Sequence, residues 1–247
     1  MTDITRAEVC VAAIADLFRG DGEITASPMG LIPSLGGRLA RLTFAPDLLL
    51  SDGEAYLVAD AADPSAGIEG WQPFKKVLDV VVPNGKRHVI MGASQIDRHG
   101  NQNISAIGDH AAPTRQLLGV RGGPGNTVNN RTSYWIPKHS TRVFVESVDV
   151  ASGVGYDRAK AAGPAAARFH DVYRVVTDLA VLGFDADGAM TLLSVHPGVT
   201  EQQVRDATGF ELTGAGVPET RLPTADELEL IRTVVDPKNL RSKEVPA

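Results

Sequence analysis

His88-Val89-Ile90-Met91-Gly92-Ala93-Ser94-Gln95-Ile96-Asp97-Arg98-His99-Gly100-Asn101-Gln102-Asn103 is the stretch on which the fold turns. Its first four residues make a short, mostly apolar run that reads as a buried strand. Four carboxamides, a carboxylate and a glycine turn follow within a few residues. In open α/β sheets, ligands bind in the crevice at the carboxyl ends of the strands, so polar groups gathered there suggest a site. The same residues also suit a polar turn that satisfies its own backbone groups. Residue chemistry leaves both readings open.

Working outward, Thr5 and Glu8 have capping-box spacing, and apolar residues from Val9 to Phe18 fill a helical stripe that stops at Gly20. Glu23–Ala26 is a short strand candidate, and Gly30-Leu31-Ile32-Pro33-Ser34 is a turn able to open a helix through Arg41. Asp47–Leu50 reads as a buried strand broken by Ser51-Asp52-Gly53, with Tyr56–Val58 resuming it. Asp60–Gly70 reads as a loop, and Phe74–Val82 as apolar and β-branched towards its end. Leu117–Val120 and Arg142–Val145 are expected strands. Val172–Phe184 and Met190–His196 are β-rich and separated by Asp185-Ala186-Asp187-Gly188, a strong hairpin signal. Thr200 with Gln203 and Thr224 with Glu227 are two more capping boxes. Alternating helix and strand patterns over the first two-thirds predict a mainly parallel α/β sheet with a late hairpin, in one domain spanning residues 1–247.

The chain has 247 residues, 43% of them hydrophobic, and a formal charge of −6. That charge argues against a nucleic-acid partner, because no basic stripe offsets it. Cys10 is the single cysteine, which excludes a disulfide framework and a cysteine-based zinc site. The N-terminus shows no secretory pattern, and no apolar run is long enough to span a membrane. A cytoplasmic protein is expected.

Few residues offer chemistry on their own. Arg121-Gly122-Gly123-Pro124-Gly125-Asn126 is neither a dinucleotide fingerprint nor a P-loop. Consecutive glycines can let backbone N–H groups approach a ligand oxyanion, or can simply form a tight turn. Asn126, Asn129 and Asn130 add donors on the same segment. The six histidines are scattered without ligand spacing, so no metal site is expected. His99 reads as a turn residue, His196 as structural, and Trp71 and Trp135 as packing residues. No Gly-x-Ser-x-Gly elbow is present, and Ser51 has no histidine partner in sequence.

The spaced motifs nevertheless resemble a known family. Gly92-Ala93-x-Gln95-Ile96-Asp97-x-x-Gly100-Asn101-x-Asn103 looks like the signature loop of β subunits of class I coenzyme A transferases. Gly30–Ser34, Gly122-Gly123 and His196-Pro197-Gly198-Val199-Thr200 agree with it, and the likeness covers nearly the whole chain. It implies a three-layer α/β/α sandwich related to sugar-phosphate isomerases. It also implies an acyl-CoA site between two different chains. The Gly-rich loop typical of the α subunit is absent, so a separate α partner is implied, by family habit as an α2β2 heterotetramer.

The resemblance also places a departure. The transferase mechanism needs a glutamate in a Glu-x-Gly setting, which here falls on Ser51-Asp52-Gly53. A serine hydroxyl can form neither the acid anhydride nor the carboxyl thioester of that mechanism. Glu54 is a poor substitute, since residues three apart on an extended segment face opposite ways; a loop conformation could rescue it.

Leu50–Ala55, Ile68-Glu69-Gly70-Trp71 and Thr132-Ser133-Tyr134-Trp135 look like the β subunits of the steroid ring-cleaving branch of this family. That branch opens the last ring of a cyclohexenone-carboxyl-CoA thioester and does not move CoA. The resemblance then implies Ser51, Gln95, Asn101 and Asn103 as catalytic groups on this chain, with the main general base on the α subunit. Glu54, Asp97, Arg121, Gly122, Gly123 and Asn126 are the implied substrate-binding residues, Arg121 for a free carboxylate. No cofactor is expected, coenzyme A being part of the substrate. An authentic CoA transferase and a non-catalytic scaffold subunit are the alternatives.

Overall fold

The computed structural model describes residues 3–53, 55–72, 84 and 86–246. Glu54 and the expected apolar segment 74–82 lie outside the described residues. Helix α1 (Arg6–Asp16) starts at the expected capping box: the Thr5 amide donates to Glu8 Oε2 at 2.8 Å and the Glu8 amide to Thr5 Oγ1 at 3.3 Å. Strand β1 (Thr25–Pro28) begins two residues later than expected, where the Thr25 amide finds the carbonyl of Lys86 at 3.2 Å. Helix α2 (Leu31–Leu42) follows the Gly30 turn as predicted.

Strand β2 (Leu49–Leu50) is short, and Tyr56–Val58 does not resume it. Ser51-Asp52-Gly53 reverses the chain, with Gly53 at φ +91°, so that Ser51 bridges Leu57 in antiparallel sense. Tyr56–Val58 is instead β3, paired with β4 (Ile68–Trp71), which takes the end of the expected loop. Trp71 stands 66% exposed on this hairpin and is not the packing residue expected, whereas Trp135 is buried as expected.

Strand β5 (Arg87–Met91) is the predicted buried strand. Two small hairpins follow, β6 (Gln95–Ile96) with β7 (Gln102–Asn103), and β8 (Ala106–Ile107) with β9 (Arg115–Gln116). The expected strand Leu117–Val120 does not form. Gly119 at φ +82° turns the backbone, and Leu118 and Val120 stay exposed with no strand neighbour. After α3 (Gly123–Asn129) comes β10 (Arg131–Ile136), a strand whose buried Thr132 and Ser133 hide its apolar signal. Arg142–Val145 is a turn, because the amides of Val143 and Phe144 both bond the carbonyl of Ser140, each at 2.9 Å. Its one strand-like feature is the bridge from Phe144 to Ile96.

The chain then runs through α4 (Tyr156–Ala161) and α5 (Pro164–Ala167) to β11 (Asp171–Thr177), β12 (Ala180–Phe184) and β13 (Met190–Val195). The β12–β13 hairpin turns at the predicted Asp185–Gly188, where Asp185 Oδ1 accepts from the amides of Asp187 and Ala189. Helices α6 (Glu201–Asp206) and α7 (Ala225–Leu230) open at the two predicted capping boxes.

Seven strands form one sheet in the order β13-β12-β11-β10-β5-β1-β2. From β2 to β11 every pairing is parallel, and β12 and β13 run antiparallel. Apolar clusters lie on both faces, as a three-layer sandwich requires. Ala26, Leu50 and Ile90 point to the cluster under α1 and α2, while Val89, Met91 and Tyr134 point to the one under α6. Strand alternation therefore sends Ser27, Ser51 and Arg87 to the second face. The connection from β1 crosses to β2 on one side, and β5 leads to β10 on the other. The order reverses between β1 and β5, the kind of place where such sheets open a ligand crevice.

Candidate active site

The Gly92–Asn103 loop leaves the end of β5 and folds on itself as β6 and β7. Gln95 Oε1 accepts from Asn103 Nδ2 at 2.7 Å and from the Asp149 amide at 3.0 Å. Asn103 Nδ2 also donates to the Ala106 carbonyl, and its Oδ1 accepts from the Ser105 amide. Asn101 Nδ2 donates to Asp97 Oδ2 and to Asp157 Oδ1, both at 2.9 Å, while its Oδ1 accepts from the Gly155 amide at 2.7 Å. Both amide hydrogens of Asn101 and of Asn103 are thus used inside the chain. Gln95 differs. Its Nε2 donates to Asp149 Oδ2 at 3.0 Å and keeps one hydrogen with no acceptor among the described residues.

Asp97 holds the turn by accepting from the amides of His99 (3.0 Å) and Asn101 (3.1 Å). Burial pushes its carboxyl pKa up, against the pull of those bonds, and nearby Asp157 pushes the same way. Both of its oxygens accept bonds from within the loop, which supports the loop's shape. Gly155 lets the loop dock: a Cβ there would fall on the carbonyl of His99 and 2.6 Å from the Asn101 nitrogen. His99 Nδ1 faces the carbonyl of Gly188 at 3.3 Å, a turn contact.

A second polar cluster lies on the sheet beside the switch point. Ser51 Oγ donates to Ser27 Oγ at 3.0 Å, and the Gly53 amide donates to Ser51 Oγ at 3.2 Å. Ser27 Oγ also accepts from Arg87 Nε at 2.9 Å, and Arg87 Nη1 donates to Asn126 Oδ1 at 2.7 Å. Asn126 Nδ2 is left with the Met91 thioether at 3.5 Å, a weak acceptor. Ser27, Ser51, Arg87 and Asn126 are all buried. Burial draws the Arg87 guanidinium down to about 10, so it stays charged at neutral pH.

Ser51 and Asn126, expected as site residues, are therefore brought together by two residues that the sequence reading missed, Ser27 and Arg87. Arg87 opens a mostly apolar buried strand, and that placement is the signal that could have found it. Arg121 is exposed, in a left-handed conformation at φ +47°, outside this cluster. The Gly123 amide is taken by the Val120 carbonyl at 3.0 Å, and Gly122 caps α3. Asn129 Nδ2 bonds the Gly125 carbonyl, and Asn130 is buried with both amide atoms unpartnered. His196 is structural as expected, between Thr220 Oγ1 at 3.0 Å and the Thr177 carbonyl at 2.9 Å.

A parallel sheet with its polar cluster at the switch point, followed by this loop, is the frame of a coenzyme A transferase-type β subunit. The chain is 32% identical over 225 residues to one subunit of the 3-oxoadipate CoA-transferase of Pseudomonas knackmussii, covering 82% of this chain and 83% of that one. It is 57% identical over 251 residues to the cholesterol ring-cleaving hydrolase IpdB subunit of Rhodococcus jostii RHA1, covering 99% and 98%. Its fold matches a chain in the crystal structure of Rhodococcus jostii RHA1 IpdAB with a TM-score of 0.94 at 56% identity over the whole of both chains. The chain belongs to the family of cholesterol ring-cleaving hydrolase IpdB subunits, within that transferase-type class. No family model matches it. Among the described residues no helix is long and apolar enough to cross a membrane.

Proposed function

We propose that the chain is the β subunit of a heteromeric, cytoplasmic enzyme that opens the last steroid ring of a cyclohexenone-carboxyl-CoA thioester in cholesterol breakdown. The observation that carries this reading is the 57% identity to the IpdB subunit of Rhodococcus jostii over 99% of the chain. Ser51 supports it, since the residue where a transferase needs a carboxylate is a buried hydroxyl bonded to Ser27.

The substrate is a cyclic enone in which a thioester and a ketone flank one carbon. Water adds across the alkene, its oxygen going to the far carbon. The new hydroxyl then loses its proton, and the bond between its carbon and the flanked carbon breaks. The electron pair passes to the flanked carbon as an enolate, which is protonated to complete a net hydrolysis of a C–C bond. Both steps place negative charge on the thioester and ketone oxygens, where fixed donors accelerate reaction.

The general base is assigned to an α subunit, in an α2β2 assembly. From this chain, Gln95 offers its spare N–H and Asn126 its weakly bonded one. Asn101, Asn103 and Asp97 hold the loop that positions Gln95, and Ser51 orients water beside the sheet. Coenzyme A enters only as part of the substrate, and no further cofactor is called for.

Co-expression with the α subunit tests the reading. The complex should turn over the ring-bearing thioester and carry oxygen-18 from labelled water into the opened product. Trapping of a glutamyl-CoA adduct on this chain by borohydride or hydroxylamine would make it a transferase instead.

A further inference from the structure

The described residues include two buried arginines, and they are treated differently. Arg241 meets the carboxylates of Glu8 at 2.9 Å and Asp236 at 3.1 Å. Arg87 meets no carboxylate among the described residues. Its Nε and Nη1 bond a hydroxyl and an amide oxygen, both neutral. A buried guanidinium is costly unless it is paired, and a neutral side chain could link Ser27 to Asn126 without that cost.

Its remaining donors form one edge. One hydrogen on Nη1 and two on Nη2 have no acceptor among the described residues. Nη2 is not one of the enclosed side-chain atoms that lack a partner. The Nη1–Nη2 fork has the geometry that takes two oxygens of an anion. Ser51 Oγ lies one hydroxyl away through Ser27, at the carboxyl end of β2.

We propose that Arg87, set by Ser27 and Asn126, seats an anionic oxygen of the substrate's acyl portion next to Ser51. The inference rests on the ring-opening reading above. That chemistry supplies two such oxygens, one on the enolate formed as the ring opens and one on a free carboxylate carried by the ring.

The test uses the assembled α/β complex. Arg87→Gln should lower kcat/KM by about 100-fold, the size of losing a preorganised oxyanion donor, and Arg87→Lys should recover part of it. Ser51→Glu leaves Arg87 in place but gives it a fixed carboxylate, and should lose activity to a similar degree. Loss confined to kcat identifies the enolate, and loss confined to KM the ring carboxylate. Wild-type kcat and KM in Arg87→Gln, or in Ser51→Glu, overturn the assignment. Should the wild-type complex fail to open the ring, the ring-opening reading falls. Arg87 is then judged by calorimetry with succinyl-CoA against butyryl-CoA: a preference for the acid that Arg87→Gln abolishes supports the anion seat, and no preference ends it.

Discussion

Arg87 Nε lies 2.9 Å from Ser27 Oγ, and this bond joins the start of β5 to the middle of β1 on the face that carries Ser51. Ser27 is thus a shared acceptor for Ser51 and Arg87, and neither finds a substitute partner in the strand ladder. Ser27→Ala should leave the sheet paired but strand Arg87 Nε in a buried place. An orphaned buried donor costs roughly 1–3 kcal/mol, read as a lower urea midpoint with an unchanged slope. Turnover of the α/β complex should fall as well, because Arg87 and Ser51 lose their common anchor.

Gln95 and Asn101 sit on one loop and should respond differently. Asn101→Ala removes the link between Asp97, Asp157 and the Gly155 amide; the buried Gly155 amide and Asp97 oxygen lose a partner at roughly 1–3 kcal/mol each, while exposed Asp157 turns to water. Its loss should appear first in stability, with turnover falling in step. Gln95→Ala should reduce turnover while the subunits stay associated. An Asn101→Ala chain of wild-type stability with no turnover would make Asn101 a direct donor and reverse the two roles.

Much of the frame was legible from local signals. Three capping boxes, the Gly30 turn, the β5 run and the Asp185–Gly188 hairpin are each written in contiguous residues, and each forms where expected. The misses have long-range causes. Leu117–Val120 has strand composition but, past the bond from the Leu117 amide to the Ser105 carbonyl, no ladder partner among the described residues, and β10 has a neighbour on each side that rewards a run containing Thr132 and Ser133. The site divided in the same way. Ser51 and Asn126 were visible as residues, but their connection runs through Arg87, 36 positions from one and 39 from the other. Only register brings Ser27 and Arg87 onto one face of adjacent strands.

Gly155 is the steric keystone of the loop. A methyl group there has no room against the His99 carbonyl and the Asn101 nitrogen, both of them backbone atoms that cannot rotate aside. Gly155→Ala should therefore push α4 off the loop and break the bond from its own amide to Asn101 Oδ1. Overpacking of this kind typically costs about 1–3 kcal/mol, and more where backbone must move. The expected result is a lower melting temperature and faster amide exchange at residues 97–103, with Gly153→Ala milder because its nearest contacts are side chains.

The two tryptophans make a paired test of burial. Trp135 is 3% exposed and its Nε1 donates to Glu244 Oε1 at 2.6 Å, whereas Trp71 is 66% exposed. Trp135→Phe keeps most of the packing but removes a bond to a charged group, worth about 1.5–3 kcal/mol. Trp71→Ala should change the isolated chain's stability by no more than about 0.5 kcal/mol. Urea unfolding of both variants checks the pair, and equal losses would contradict the burial difference.

Two buried histidines set the acid limit of the fold. Burial lowers His139 from 6.5 to about 3, and lowers His196 to about 4 against a weaker opposing pull from the Thr177 carbonyl. Each ring is held neutral, His139 between Thr177 Oγ1 and Thr208 Oγ1 and stacked 3.8 Å from Phe144. The unfolded chain takes up both protons below its ordinary histidine pKa, and the folded chain does not. Their contribution is therefore fully present above pH 6.5 and is lost as pH falls towards about 4 for His196 and about 3 for His139. Each histidine should contribute a slope of about 1.4 kcal/mol per pH unit within that window. Asp97 and Asp178, raised by burial, act in the opposite sense, so the variant comparison isolates the histidines. Urea midpoints from pH 7 to pH 5 should fall for the wild-type chain and fall less steeply for His196→Gln, which has no proton to take up. Identical slopes in the two proteins would mean that His196 takes up its proton over the same pH range in the folded and the unfolded chain.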